Sequence, residues 1–135
     1  MHDTPAYEAE TDGIVVRVRP SFLAGQSNPD AGRWVWAYQV EIVNLTGVPV
    51  QLMARHWVIT DARGQVEDVR GPGVVGEQPV IAPGGSYTYA SGCPLTTPSG
   101  SMVGSYAMVD AEGRSFVAAI PAFSLDGPGQ RRVVN

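Results

Sequence analysis

The glycines of Gly71-x-Gly73-x-x-Gly76 have a spacing that could hold a phosphate group. In a dinucleotide-binding loop this spacing lies between a strand and a helix, whose N-terminal amides bind the pyrophosphate. Here Val74-Val75 is β-branched and Pro79 follows closely, so no useful helix can begin after the loop. The acidic residue expected about 20 positions later is also missing. We therefore expect no dinucleotide site.

A simpler anion site at the same loop remains an open alternative. Successive backbone amides can form a nest for a phosphate or a similar anion. The candidate residues for such a site are Arg70, Gly71, Gly73, Gly76 and Arg55. Pro72 removes one amide donor from the loop, and the competing interpretation is that the glycines serve only the backbone conformation.

The candidate nucleophile and base are isolated in the sequence. His56 lies inside a predicted strand, as a proton carrier or as a half-exposed cross-strand partner, and His2 is the only other histidine. Cys93 has no basic neighbour to lower its pKa, and a single cysteine cannot form an intrachain disulfide or a multi-cysteine zinc site. We therefore predict no catalytic residue, no metal centre and no cofactor, and the chain is expected not to be an enzyme.

Acidic residues flank two predicted turns, with Asp61, Glu67 and Asp68 at one and Asp110 and Glu112 at the other. One or two such carboxylates together with water can bind magnesium. Solvated acids at turns are far more common, and we expect that role here.

The composition favours one acidic domain spanning residues 1–135. The net charge of −4 gives an acidic pI near 5.0, which argues against general nucleic-acid binding. No apolar run approaches the roughly 20 residues of a membrane span. The N-terminal residues 1–5 carry no secretory signal pattern, and we expect a cytoplasmic protein.

Short strands separated by turns dominate the sequence. Residues 34–42 alternate with period two, placing Trp36, Tyr38, Val40 and Ile42 on one face. About seven such strands are predicted, the first of them ended by Pro20. Residues 1–12 and 126–135 are expected to be flexible tails. This spacing is typical of an all-β antiparallel sandwich; the immunoglobulin Cys-Trp-Cys pattern is absent, which makes a fibronectin type III-like fold the closer analogue.

One long segment, Gln78 to Val109, contains no Asp, Glu, Lys or Arg. Charges on edge strands usually deter pairing with other chains, so such a segment suits either buried strands or a surface that contacts a partner. The candidate partner-binding residues are Tyr87, Thr88 and Tyr89. The partner would be another protein or a second copy of the same chain.

Several stretches resemble the bacterial ApaG family, also called CorD. They include residues 36–44, 50–61 and 97–102, and the run Gly73-Val74-Val75-Gly76-Glu77-Gln78-Pro79 is the most specific. The resemblance implies a fibronectin type III-like fold and a link to cobalt tolerance and magnesium efflux. Related domains in eukaryotic F-box proteins look like interaction modules. We therefore expect a non-catalytic module that binds another protein, with the anion site at Gly71–Gly76 as the alternative.

Overall fold

The computed structural model describes residues 6–128. The strands are β1 (Tyr7–Thr11), β2 (Ile14–Phe22), β3 (Trp34–Asn44), β4 (Val50–Asp61), β5 (Val66–Pro72), β6 (Val80–Ile81), β7 (Ser86–Leu95), β8 (Ser99–Asp110) and β9 (Ser115–Asp126). Two short 3₁₀ turns, Ala24–Gln26 and Pro29–Ala31, lie between β2 and β3. No helix in residues 6–128 has the length and apolar character to cross a bilayer.

The strands form two antiparallel sheets. The first sheet has the order β1-β2-β3-β7, and the second has the order β5-β4-β8-β9 with β6 paired to the start of β4. Side chains from the inner faces of both sheets form one apolar core. The arrangement confirms the predicted all-β antiparallel sandwich.

The core contains the period-two residues expected from β3. Trp36, Tyr38, Val40 and Ile42 are all buried there. The ring of Tyr38 packs against Trp57 of the second sheet, with ring centroids 5.3 Å apart. Alternation along a single strand was therefore sufficient to identify the inward face.

The N-terminal expectation was wrong for residues 7–11, which form β1 rather than a flexible tail. They pair with β2 from Tyr7 opposite Val18 to Thr11 opposite Ile14. Opposite charges join the two strands, since Arg17 binds Glu8 at 2.7 Å. At the other end Asp126 closes β9, so it is not part of a tail either. Residues 1–5 and 129–135 of the predicted tails lie outside the described range.

The first predicted strand also continues past Pro20, to Phe22. A proline can occur in a strand where its missing N–H would face no neighbour. Val43 of β3 is directly opposite Val15 of β2 in the register. Two residues beyond Val43, the N–H of Leu45 donates to the carbonyl of Gly13, so residues 13 and 45 are a hydrogen-bonded pair. Hydrogen-bonded pairs alternate in an antiparallel ladder, so odd-numbered residues of β2 bond to β3. The backbone nitrogen of Pro20 points away from β3, on the side of β1, and lies beyond Val18, where the pairing with β1 ends. The proline therefore removes no hydrogen bond from either pairing.

The sandwich is closed on one side, where β1 meets β9. The backbone N–H of Ala119 donates to Oγ1 of Thr11 at 3.0 Å, and the hydroxyls of Tyr7 and Ser124 are 2.9 Å apart. On the opposite side, cavities lie between β7 of the first sheet and β5 of the second. The molecule therefore has one sealed and one open flank.

Candidate functional site

A groove runs along the open flank between the edge strands β5 and β7. It consists of three adjoining cavities of about 320, 300 and 200 Å³ that share lining residues. The residues that line its middle cavity include Tyr38, Arg55, Trp57, Glu67, Val69 and Cys93. The glycine loop, through Val74 and Val75, forms the wall at one end.

The floor of the groove depends on a β-bulge in β4. The pairing of β4 with β8 shifts between Leu52 and Ala54. A bulge adds one residue to a strand and exchanges the faces of the side chains beyond it. Leu52 faces inward before the bulge, and Arg55 and Trp57 face inward after it. Because of the bulge, the side chains of Arg55 and Trp57 lie between the two sheets at the open flank.

β7 forms the upper rim of the groove and pairs with β3 alone among the described strands. The N–H of Asn44 donates to the carbonyl of Gly85 at 2.9 Å. Because bonded pairs alternate, odd-numbered residues of β7 bond to β3. The N–H and C=O groups of Ser86, Thr88 and Ala90 therefore point away from the sheet and are unpaired by any described strand.

Two further observations agree with a free edge at β7. Pro94 occupies an even-numbered position, where its missing N–H is on the outward side and leaves the ladder with β3 intact. No residue of β7 is charged. By contrast, the edge strand β5 carries Glu67, Asp68 and Arg70, and charges of this kind discourage strand addition.

The three sequence-predicted partner residues lie in different surroundings on β7. Thr88 is exposed on the outer face of the sheet, opposite Glu41 of β3. Tyr87 is half-buried, and Tyr89 is buried with its hydroxyl 2.5 Å from that of Tyr106. The side chain of Tyr89 therefore belongs to the core. Thr88, the exposed part of Tyr87 and the backbone edge are the parts of this segment that a partner can reach.

The glycine loop closes on itself. Val74 and Glu77 exchange two backbone hydrogen bonds of 2.8 and 2.9 Å. Between them, Val75 and Gly76 both have positive φ, at 42° and 82°, which is the conformation of a type I′ turn. Val74 is fully buried. The glycine spacing therefore has a conformational explanation, and Val75 is in a backbone region that β-branched residues rarely adopt.

The two arginines of the anion hypothesis point to opposite faces of the second sheet. Nη1 of Arg55 donates to the carbonyls of Pro72 and Gly73, each at 3.0 Å. A side chain at Gly71 would meet this guanidinium at 2.9 Å, so the glycine makes room for it. Arg70 is opposite His56 in the register and faces outward. The structure brings the guanidinium of Arg55 to the carbonyls of the loop. Both arginines and Gly71 also line a cavity of about 460 Å³ beside β5.

The remaining ionisable candidates also have local partners. Nε2 of His56 is 2.7 Å from Oδ1 of Asp68 on the outer face of the sheet. Of the two roles considered for His56 from the sequence, this arrangement is that of a half-exposed cross-strand partner. Asp61 Oδ1 accepts hydrogen bonds from the backbone N–H groups two and four residues later, and Asp110 Oδ1 does the same. These two acids hold the hairpin turns predicted from the sequence. Among residues 6–128 no three His, Cys, Asp or Glu side chains converge as metal ligands.

Glu67 and Cys93 face each other across the groove. Burial of the Cys93 thiol, together with the negative charge of Glu67, raises the pKa of that thiol to about 11. The thiol is therefore protonated at neutral pH and is a poor nucleophile. Sequence reasoning placed Glu67 among the turn acids and missed its position in the groove. Its inward orientation becomes visible only through its pairing with Ile59 of β4.

The groove lies within the part of the chain that matches a known family. The sequence profile of the ApaG domain matches residues 24–110. The chain belongs to the ApaG family. Its relatives include the ApaG proteins of Mesorhizobium japonicum and Brucella suis, which are 57% and 58% identical over 129 residues. Each match covers 96% of this chain and 99% of the relative.

Solved structures agree with the ApaG assignment. A crystal structure of an ApaA protein from Bordetella pertussis has a TM-score of 0.84 at 42% identity, over 92% of this chain and 99% of that one. A second X-ray structure has a TM-score of 0.86 at 38% identity, over 94% of this chain and 96% of that one. The resemblance read from the sequence is confirmed, and the ApaG fold is the framework of the groove.

Proposed function

We propose that this ApaG domain is a non-catalytic module that binds an extended segment of another protein along β7. The observation that carries the proposal is the uncharged edge of β7, whose outward backbone groups border a partly apolar groove. An extended segment can add to such an edge as a further strand, with alternate side chains directed into adjacent pockets.

The chemistry of the groove supports binding rather than catalysis. The Cys93 thiol is buried with a raised pKa, and His56 lies on the opposite face of the second sheet. The partly buried side chains of Ile59, Val69 and Leu95 line the cavities over the buried rings of Tyr38 and Trp57, and they offer the apolar area on which interfaces depend. We therefore attribute any role in cobalt or magnesium handling to a bound partner protein, since Asp61 and Asp110 are engaged in turns.

A variant at the edge tests the proposal directly. Ala90→Pro removes an outward N–H and leaves the ladder with β3 intact, as Pro94 already does in the same strand. Ala90→Val keeps the N–H at the same position and is the matched control. Peptides selected from a random display library on the wild-type protein are the probe, and fluorescence anisotropy measures their affinity.

We expect Ala90→Pro to weaken the selected peptides at least about tenfold, the equivalent of roughly 1.4 kcal/mol. Ala90→Val should bind within about twofold of wild type, and thermal denaturation should show both variants folded. A library that yields no specific peptide, or peptides indifferent to Ala90→Pro, contradicts the proposal. Titration with inorganic phosphate tests the anion alternative. Saturable phosphate binding that Gly73→Val abolishes would favour that alternative.

A further inference from the structure

Glu67 is an exposed carboxylate on the inner side of an edge strand. It is directly opposite the inward-facing Ile59 in the register and lines two of the three cavities. Its charge acts on the Cys93 thiol across the groove. Within residues 6–128, no cationic group lies within 4.0 Å of it and no donor within hydrogen-bonding distance. A carboxylate in this position is complementary to a cation supplied from outside.

The other charged groups near the groove are already engaged. Asp61 accepts two backbone hydrogen bonds of its own turn, and Arg55 donates to two carbonyls of the glycine loop. These hydrogen bonds go to neutral backbone groups, so Asp61 and Arg55 keep their charges, but the bonds fix where both side chains point. Among the described residues, Glu67 is the groove carboxylate that has no hydrogen-bond donor, which leaves it for a cation of the bound segment. Charge complementarity of this kind contributes mainly to specificity and to the rate of association.

Apolar surface begins two residues further along β5. Val69 is the next inward residue after Glu67, and it is opposite Trp57 in the register. Alternate residues of a strand are about 6.6 Å apart and face the same side. A strand added to β7 presents its own side chains to the groove at that spacing. Two neighbouring inward side chains can thus face Glu67 and the partly exposed Val69.

We infer that the groove recognises an extended segment in which a lysine or arginine is two residues from a large apolar or aromatic residue. The basic group pairs with Glu67, and the apolar side chain covers Val69, which lies over the buried rings of Trp57 and Tyr38. The order of the two along the partner depends on the direction of the added strand. This inference rests on the proposed binding along β7.

Charge substitutions at Glu67 provide the test, with the same display-selected peptides as probes. We expect a basic residue two positions from an apolar one to be enriched among them. Glu67→Gln should weaken binding by about threefold to fivefold, the range of a partly solvated ion pair, and Glu67→Arg by more than about tenfold. Replacing the basic residue of the peptide by Glu should restore binding to Glu67→Arg.

Glu112→Gln is the matched control, because it removes the same charge at the exposed turn after β8, at the far end of the second sheet. It should leave peptide affinity unchanged. Peptides that depend on the β7 edge but lack a basic residue, with no effect of Glu67→Gln, overturn this inference and leave the proposed function standing. No edge-dependent peptide at all contradicts both. A dimer in light scattering that Ala90→Pro dissociates identifies a second copy as the occupant and overturns the inference, since β7 carries no basic residue.

Discussion

The hydroxyl groups of Tyr89 and Tyr106 meet 2.5 Å apart inside the sandwich, and they come from different sheets. Burial is the main cause that raises the pKa of each tyrosine above its usual value, so both remain protonated at any physiological pH. The bond ties the edge strand β7 to the centre of the second sheet. This hydrogen bond therefore fixes the position of β7, the rim of the groove, relative to the second sheet.

Single replacement of either tyrosine by phenylalanine should destabilise the fold. Tyr106→Phe leaves the Tyr89 hydroxyl without its partner, at a cost of about 1–3 kcal/mol, and Tyr89→Phe does the converse. The double variant should cost less than the sum of the two, because no unpaired hydroxyl remains. Chemical denaturation of the four proteins gives the coupling. Strictly additive losses would contradict a direct bond between the two groups.

Two glycines of the loop should respond differently to the same change. Both have positive φ, but a side chain at Gly73 would meet the Glu77 carbonyl at 2.1 Å, while Gly76 has open space around it. Gly76→Ala should therefore cost only the backbone penalty of about 1–2 kcal/mol. Gly73→Ala should cost clearly more in the free energy of unfolding. Equal losses would show that the loop can relax around Gly73.

Val75 should be a site at which substitution stabilises the protein. Its φ of 42° strains a β-branched residue, and Asn-Gly is the preferred sequence of a type I′ turn. Val75→Asn should raise the free energy of unfolding by about 1 kcal/mol. The side chain of Val75 also lines the end of the groove, so peptide affinity is the second measurement. A lower melting temperature in the variant would mean that apolar contacts of Val75 outweigh the strain.

Acid should weaken the turn between β8 and β9. Hydrogen bonds from the backbone and the guanidinium of Arg114, and from the Glu112 N–H, lower the pKa of Asp110 below its usual 3.8. A depressed pKa in the folded state means that the stabilisation is complete above about pH 4 and is lost as pH falls through the folded value. Asp110→Asn should therefore be less stable than wild type at neutral pH.

The difference between these two proteins should shrink as the pH falls below about 4. Denaturation midpoints measured across that range provide the comparison. Glu112→Gln, which leaves the backbone donor to Asp110 unchanged, should show little change at any pH. A stability difference for Asp110→Asn that is independent of pH would contradict a role for the carboxylate charge.

Local patterns were enough to predict much of the fold. The period-two alternation of β3 identified its buried face, because one strand carries that information in consecutive residues. The sequences Asp61-Ala62-Arg63-Gly64 and Asp110-Ala111-Glu112-Gly113 identified two turns with the same aspartate hydrogen bonds. The alternation of Tyr7-Glu8-Ala9-Glu10-Thr11 is an equivalent signal for β1. The acidic residues of that segment led instead to the prediction of a flexible tail.

The groove could not be predicted in the same way, because its parts meet only through long-range pairing. The bulge near Met53 decides that Arg55 faces inward, and it arises from the register of β4 against β8. Glu67 reads as a turn acid until its pairing with Ile59 is known. The position of β7 at an edge depends on which strands lie beside it, and no pattern within β7 records that.

The carboxylate of Glu67 has a second consequence, for the behaviour of the free protein in concentrated solution. An uncharged open edge such as β7 invites pairing between identical molecules, which is a common route to aggregation. A second β7 placed alongside would bring only neutral side chains over Glu67. It would bury that charge without a counter-ion, which is unfavourable. We therefore expect Glu67→Leu to lower solubility and to promote slow precipitation at neutral pH. The same carboxylate would then both pair with a bound partner and keep the free domain from associating with itself.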